Sequence, residues 1–316
     1  MASPLRACVD VVIPTYRAPA LVQRCVRHIV DDSVASKIVV DDASGDDTVE
    51  RLEGEAGVKV VALARSQGLA HAFNRGAESG RAPYLLFLNN DILPARGAID
   101  RLTAALCATP QAGSAAGRLV DPSSDETQSS YQPRAIPGPW SIVARLTGVE
   151  RAWPTNPLTG HHLSRPLSDE HRTLTRRQPA GACLLVRRSD FERIGGWDER
   201  YWIWYEDVDF SRRLNGVGPA IYDPNAVFRH VGGASTEHWG KPEQHRRLYH
   251  GTLQYSAAHF GPVGRLLVGI TAMAVALPRI ARYWPSNRSN AGVYRAVLRG
   301  GAALACGRQV PSMIDR

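Results

Sequence analysis

Blocks of apolar residues and blocks of helical spacing alternate through the first third of the chain. A short apolar run, Cys8–Pro14, stops at Pro14-Thr15 and reads as a buried strand. Helical spacing follows over Pro19–Val30. A β-branched strand, Lys37–Val40, is then halted by Asp41-Asp42-Ala43-Ser44-Gly45. Asp46–Gly54 reads as a helix whose acidic start suits the positive end of its dipole. Val58–Ala64 is expected as a strand and Leu69–Gly80 as a helix. Tyr84–Leu88 is a fourth strand, with Asn89-Asn90-Asp91 directly behind it. This alternation predicts an α/β fold on a mainly parallel sheet, whose ligands bind beyond the carboxyl ends of the strands. Thr15, Asp41-Asp42 and Asn89-Asn90-Asp91 all stand at such ends. Gly68 and the residues up to Asn74 add a loop and helix start near the same rim, so a nucleotide site is expected there.

The later chain is less regular. Pro122 to about Arg177 is rich in Pro, Ser, Thr and His without periodicity, and reads as a long excursion lacking structure of its own. Order resumes at Gln178–Val186, and Ser189–Gly195 reads as a short helix. The aromatic run Tyr201-Trp202-Ile203-Trp204-Tyr205 then meets Glu206-Asp207-Val208-Asp209. Packed carboxylates beside apolar rings imply a cleft that raises carboxylate basicity and offers flat faces to a sugar. The plainer reading is the solvated start of a helix, with Asp209 and Arg213 paired across one turn. Asp207 is then left for chemistry.

Composition narrows the classes. The chain has 316 residues, 44% hydrophobic and 22% charged, which fits a globular enzyme. Three regions are expected, at 1–120, at 121–240 and, as a basic helical tail, at 241–316. Five scattered cysteines form no C-x-x-C pair, so neither zinc nor a disulfide framework is expected, and a reducing cytoplasm fits. Asp10 and Pro14 interrupt the first apolar run before it resembles a secretory signal.

The net charge is +8, yet from Gly261 onward eight arginines face one acid, Asp315, so the tail carries almost all of it. That placement speaks against a nucleic-acid-binding face. The apolar run from Arg265 to Pro278 falls short of the ~18–20 residues needed to span a bilayer. It fits an interfacial helix whose Arg279, Arg282, Arg288, Arg295 and Arg299 meet anionic lipid, or else a soluble helix packed on the rest.

Each candidate residue has two readings. Asp91 with its neighbouring amides suits a divalent cation on a diphosphate, or a turn. Asp42 suits a base or ribose, or a capping turn before Thr48. His230, in Phe228-Arg229-His230-Val231-Gly232-Gly233, is a neutral imidazole ligand or a core histidine. Trp197, Trp202 and Trp204 stack on sugars or fill a core.

In order and spacing, these pieces resemble the inverting, nucleotide-sugar-dependent glycosyltransferases of family 2, which have the GT-A fold. The likeness covers about residues 9–235. It rests on Pro14-Thr15-Tyr16, Val39-Val40-Asp41-Asp42-Ala43-Ser44, Gly68 with Asn74-x-Gly76, and Leu88-Asn89-Asn90-Asp91. Farther on it rests on Gly181-Ala182, Gly195-Gly196-Trp197-Asp198-Glu199, Glu206-Asp207-Val208-Asp209 with Arg213, and His230-x-x-Gly233.

The resemblance implies a Rossmann-like donor half fused to an acceptor half, with a helical tail. It implies that Pro14, Thr15, Tyr16, Asp42, Gly68, Asn74, Asn89, Asn90 and Asp91 hold the donor. Asp91 and His230 would bind a divalent cation, Mn2+ or Mg2+. Asp207 would be the catalytic base, with Gly181, Trp197, Trp202, Trp204 and Glu206 toward the acceptor. Two departures stand out: Asn89 and Asn90 replace acids of the fuller motif, and Ser66 stands where many relatives have Asn.

The expected donor is a nucleotide diphosphate sugar, dTDP-L-rhamnose first and a UDP-hexose second. The expected acceptor is a saccharide or lipid-linked saccharide in cell-envelope or surface-polysaccharide assembly. The expected place is the cytoplasmic face of the cell membrane, peripheral, on an anionic surface, without nucleic acid. A nucleotidyltransferase would want a glycine-rich basic loop after the first strand, where Thr15-Tyr16-Arg17-Ala18-Pro19 stands instead. A binding module without catalysis is disfavoured by the presence of Asp91, Asp207 and His230.

Overall fold

The computed structural model describes residues 6–154, 172–232 and 239–314. In chain order its strands are β1 (Val9–Thr15), β2 (Val34–Asp41), β3 (Val58–Ala62), β4 (Tyr84–Leu88), β5 (Ile92–Pro94), β6 (Ser114–Val120), β7 (Thr173–Thr175), β8 (Cys183–Arg187) and β9 (Ala220–His230). The helices are α1 (Pro19–His28), α2 (Thr48–Leu52), α3 (Leu69–Ser79), α4 (Ala98–Cys107), α5 (Pro139–Thr147), α6 (Val149–Ala152), α7 (Arg188–Arg193), α8 (Glu206–Val217), α9 (Lys241–His259), α10 (Pro262–Tyr283) and α11 (Arg288–Ala305). They gather into two compact units. The first holds residues 6–134, 172–199 and 210–232; the second holds 135–154, 200–209 and 239–314. The chain passes from the second to the first within α8.

One sheet of nine strands organises the first unit, in the order β3-β2-β1-β4-β8-β6-β9-β5, with β7 added beside β9. Strands β3, β2, β1 and β4 run parallel, as the alternating pattern requires, while β8 runs against β4 and β6. The two-residue period of a strand decides which core each side chain enters. Val9, Val11, Ile13, Leu86, Leu88 and Leu185 pack on one face, and Val12, Leu85, Phe87 and Leu184 on the other. Both faces are covered, so these strands read as continuous apolar runs. The charge inside β1 is answered: Asp10 takes hydrogen bonds from Arg188 Nη2 at 2.8 Å and from the Ala82 N–H at 2.7 Å.

Two expectations change. The segment from Pro122 to Arg177 carries regular elements among its described residues, α5, α6 and β7. Pro139 opens α5, Gly148 closes it at φ 83°, and Ile142 and Leu146 turn into the core of the second unit. The remainder of that stretch, 155–171, lies outside the described residues, as do Gly233, Asp315 and Arg316. The tail is the second correction. Its apolar helix is not confined to the run before Pro278; α10 has 22 residues and is long and apolar enough to cross a membrane by length and composition. The helix continues through Arg265 and Pro278, adding Val263 and Gly264 before the run and Ile280 and Ala281 after it.

The second unit packs α5, α9, α10 and α11 around Tyr201, Tyr205, Leu253, Tyr255, Val268, Ala272 and Val297. Helices α10 and α11 meet backbone to backbone: a Cβ on Gly269 would stand 2.6 Å from the Gly301 carbonyl oxygen.

Candidate functional site

Three strand ends of the first unit meet at one rim. Thr15, closing β1, accepts a hydrogen bond on Oγ1 from Asn90 Nδ2 at 2.9 Å, which ties β1 to the turn after β4. The Thr15 carbonyl accepts from the Asp42 N–H at 2.9 Å, tying β1 to β2. Gly181 lies in the turn before β8, whose Ala182 carbonyl accepts from the Asn89 N–H at 2.9 Å. The Tyr16-Arg17 turn is held by Ser44, which accepts from the Arg17 N–H at 2.9 Å.

The acids on this rim do different work. Asp41 is buried and occupied by the N–H and hydroxyl of Ser44. Asp42 holds the next loop, accepting from Ser66 Oγ at 2.7 Å, the Gln67 N–H at 2.8 Å and the Gly68 N–H at 3.1 Å. Ser66 thus reaches Asp42 through its hydroxyl. Asn74 spends its amide on the chain around Trp197. It donates to the Trp197 carbonyl at 2.9 Å and to Glu199 Oε1 at 2.8 Å, and it accepts from the Trp197 N–H at 2.9 Å.

Asp91 is different. It is 4% exposed; Oδ2 accepts from the Gly232 N–H at 3.2 Å, while the buried Oδ1 has no hydrogen-bond partner among the described residues. Strand β5 begins right after it and pairs antiparallel with β9, setting Ile92 opposite His230. That register brings His230 Nε2 to 3.6 Å from Asp91 Oδ2.

The other face of the imidazole is fixed by Gln128. Its Nε2 donates to the His230 carbonyl at 2.9 Å, which turns Oε1 toward the ring, and Nδ1 donates to that oxygen at 2.8 Å. Burial pulls the His230 pKa below its ordinary value, with the nearby Asp91 charge opposing. The ring is therefore neutral with its Nε2 lone pair beside a carboxylate. Two acceptors side by side, one carboxylate oxygen unanswered, form a donor set that suits a divalent cation, and the Gln128 bond is the outer support such a histidine uses. Tyr131 places its ring edge-on to His230, with centroids 4.3 Å apart. Among the described residues no group of three or more His, Cys, Asp or Glu could hold a metal.

The second unit carries the acid cluster. Trp204 and Tyr205 both adopt left-handed backbone, at φ 63° and 71°, a conformation that costs a non-glycine residue about 1 kcal/mol or more. Packing holds them there. Tyr205 accepts from Arg145 Nη1 at 3.0 Å, and α9 lies so close that a Cβ on Gly251 would stand 2.6 Å from the Trp204 carbonyl oxygen. This double turn throws the chain into α8 with Glu206 inward and Asp207 half-buried. Glu206 is 6% exposed and its Oε2 has no hydrogen-bond partner among the described residues. Burial, and secondarily the Asp207 charge, push its carboxyl well above the ordinary 4.5. Asp209 is bound by His259 Nε2 at 2.6 Å, a scaffold role.

Of the aromatic candidates, Trp197 is corrected. It is 2% exposed, stacked between Phe210 at 3.9 Å and Phe73 at 4.8 Å, so both ring faces are spent on the core and none is free for a sugar. Trp202 and Trp204 remain half-buried, with Arg247 4.9 Å from the Trp202 centroid. Gln128 and Tyr131 went unnoticed in the sequence, because they sit in an aperiodic stretch and reach His230 only through tertiary folding.

A family model described as glycosyl transferase family 2 matches residues 10–195, and one described as the N-terminal domain of galactosyltransferase matches residues 161–238. The chain is 30% identical over 229 residues to N-acetylglucosaminyl-diphospho-decaprenol L-rhamnosyltransferase of Mycobacterium tuberculosis (strain ATCC 25618 / H37Rv), covering 68% of this chain and 72% of that one. It is 42% identical over 43 residues to rhamnosyltransferase WbbL of Escherichia coli (strain K12), covering 14% and 16%. Among solved structures, the mannosyltransferase PcManGT from Pyrobaculum calidifontis, in complex with GDP-Man and Mn2+, superposes with a TM-score of 0.52 at 17% identity, over 95% of this chain and 85% of that one. GalNAc-T7 with UDP, GalNAc and Mn2+ gives 0.53 at 16% identity, over 79% and 50%. At such identities these structures establish the shared fold.

Proposed function

The chain belongs to glycosyl transferase family 2, and we propose that this glycosyltransferase inverts the anomeric centre of a sugar it takes from a nucleoside diphosphate carrier. The donor is dTDP-L-rhamnose and the acceptor a hydroxyl of a lipid-linked saccharide, in cell-envelope or surface-polysaccharide assembly. The rhamnosyltransferase relatives support this choice of donor, and the diphospho-decaprenol in the mycobacterial relative's name supports the acceptor.

The observation that carries the reading is the unanswered Asp91 Oδ1 beside the neutral His230. Asp91 and His230 would hold Mn2+ or Mg2+, and a cation there neutralises charge on the leaving diphosphate. Thr15, Asn90 and the Asp42-held loop shape the rim for the nucleotide. Asp207 accepts the proton of the acceptor hydroxyl. The freed oxygen bonds to the anomeric carbon from the face opposite the diphosphate, and the bond from that carbon to the diphosphate oxygen breaks. A basic tail and a lipid-linked acceptor together support a peripheral place at the cytoplasmic face of an anionic membrane.

Calorimetry with dTDP, UDP and GDP, each with and without Mn2+ or Mg2+, tests the reading. Tight binding of dTDP that needs the cation is expected. Binding that ignores the cation removes Asp91 and His230 as its ligands, and a preference for UDP replaces rhamnose by a hexose.

A further inference from the structure

Helix α10 carries an unpartnered stripe along its whole length. Val263, Leu266, Ile270, Ala274, Leu277, Ala281 and Trp284 are all exposed, with Val263 at 81% and Leu277 and Trp284 each at 56%. Their spacings of three and four place them on one side. The buried positions Val268, Gly269, Ala272 and Ala276 lie on the opposite side, against the protein. No polar residue interrupts the stripe over about five turns.

At its end the stripe meets positive charge. The Arg295 guanidinium lies 4.9 Å from the Trp284 ring centroid. Beside it opens a cleft of about 480 Å³ lined by Gly292, Arg295, Leu298 and Arg299. Between residues 244 and 314 the chain has arginines and no acid. An apolar band that ends in an arginine cleft has the polarity of a phospholipid: chains on one side, phosphate on the other.

We propose that α10 and α11 dock the protein on an anionic phospholipid bilayer, with α10 lying flat in the interface and Arg295 and Arg299 taking lipid phosphates. The inference rests on the membrane-surface part of the function proposed above and specifies the surface that makes contact. Lying flat follows from the packing of the two helices. Gly269 touches Gly301 well inside α10, which sets Arg295 and Arg299 alongside its interior. Were α10 to cross a bilayer with α11 against it, those guanidiniums would enter hydrocarbon, where charge is costly. In the plane of the headgroups the same arginines meet phosphate. Exposed Trp140 and Trp284, at 57% and 56%, are amphipathic rings suited to that layer.

The test uses the full chain and vesicles of phosphatidylcholine alone or mixed with phosphatidylglycerol. The wild type is expected to sediment with the mixed vesicles at low salt and to be released by high salt. Ile270→Glu with Leu277→Glu is expected to weaken binding by more than tenfold; Arg295→Gln with Arg299→Gln is expected to cost about tenfold and to erase the preference for anionic lipid. Equal recovery of the wild type in the supernatant with both vesicle types overturns the proposal. So does a stripe variant that sediments like the wild type while an oligomer falls apart, since the stripe then faces a second copy.

A milder probe guards against misfolding of the charged variants. Lipids brominated near the headgroup should quench the wild type strongly and Trp284→Phe less. Strongest quenching by deep bromines, unchanged in Trp284→Phe, overturns the flat arrangement. Sedimentation needs no sugar donor and nucleotide calorimetry needs no vesicle, so this inference and the transferase reading can fail separately.

Discussion

Asp91 in the first unit and Glu206 in the second are both nearly sealed from water, at 4% and 6% exposure, and each has one carboxylate oxygen without a hydrogen bond. Their neighbours differ. Asp91 faces the Gly232 N–H, and the Nε2 of a neutral His230 stands beside it. Glu206 has a like charge, Asp207, as its neighbour. Burial alone therefore does not define a carboxylate's task. Where a second ligand atom stands alongside, the open oxygen fits a cation; where another carboxylate stands alongside, the buried group keeps its proton and leaves the ionic work to its neighbour. The proposed function divides its labour along this contrast, giving donor binding to the first unit and proton removal to the second.

The sharpest way to break that division is a pair of substitutions. Asp207→Asn is expected to lower kcat by ~10²–10⁴-fold, the usual worth of a positioned base, while nucleoside diphosphate binding stays near wild type. Asp91→Asn is expected to weaken cation-dependent nucleotide binding itself. Steady-state kinetics and calorimetry on both variants separate the two. If Asp207→Asn harms nucleotide binding as much as Asp91→Asn does, the two corners do not divide the labour.

A smaller effect tests what orients the histidine. Gln128 fixes the His230 tautomer with two bonds, its amide N–H to the His230 backbone carbonyl and its Oε1 to ring Nδ1. Gln128→Ala is expected to weaken Mn2+ affinity by ~10–100-fold and to leave turnover at saturating Mn2+ close to wild type. An unchanged Mn2+ titration would mean that the ring needs no such support, or that His230 is not a ligand.

How far these corners were legible in the sequence follows from how local their signals are. Thr15, Asp42 and Asp91 stand where parallel apolar runs stop, and strand ends are visible in a single sequence. The nearness of Asp91 to His230 depends on the register of β5 with β9, which joins residues far apart in the chain, so it was reachable only through the family resemblance. Gln128 and Tyr131 carry no periodic signal at all. Trp197 could be read either way because an aromatic near acids looks the same in sequence whether it lines a cleft or, as here, is sandwiched by Phe73 and Phe210. The tail helix was underestimated because Arg265 and Pro278 look like ends in the sequence, whereas the helix runs through both, from Pro262 to Tyr283.

Glu206→Gln is the mildest probe, because it keeps the shape and removes only the acid. In the folded chain this carboxyl holds its proton well above 4.5, through burial and through Asp207; in the unfolded chain it titrates near that ordinary value. Between the two, the native state binds more protons than the unfolded state, so stability falls as pH rises through the interval. Below it both states are protonated and the dependence vanishes. Glutamine imitates the neutral form at every pH and escapes the loss. The Tm of the variant relative to wild type should therefore climb as the pH rises above about 4.5, by ~2–4 °C for each kcal/mol recovered. Thermal melts across that range decide the matter. A difference that stays flat means that Glu206 ionises in the folded chain as freely as in water, and the contrast with Asp91 then loses its electrostatic basis.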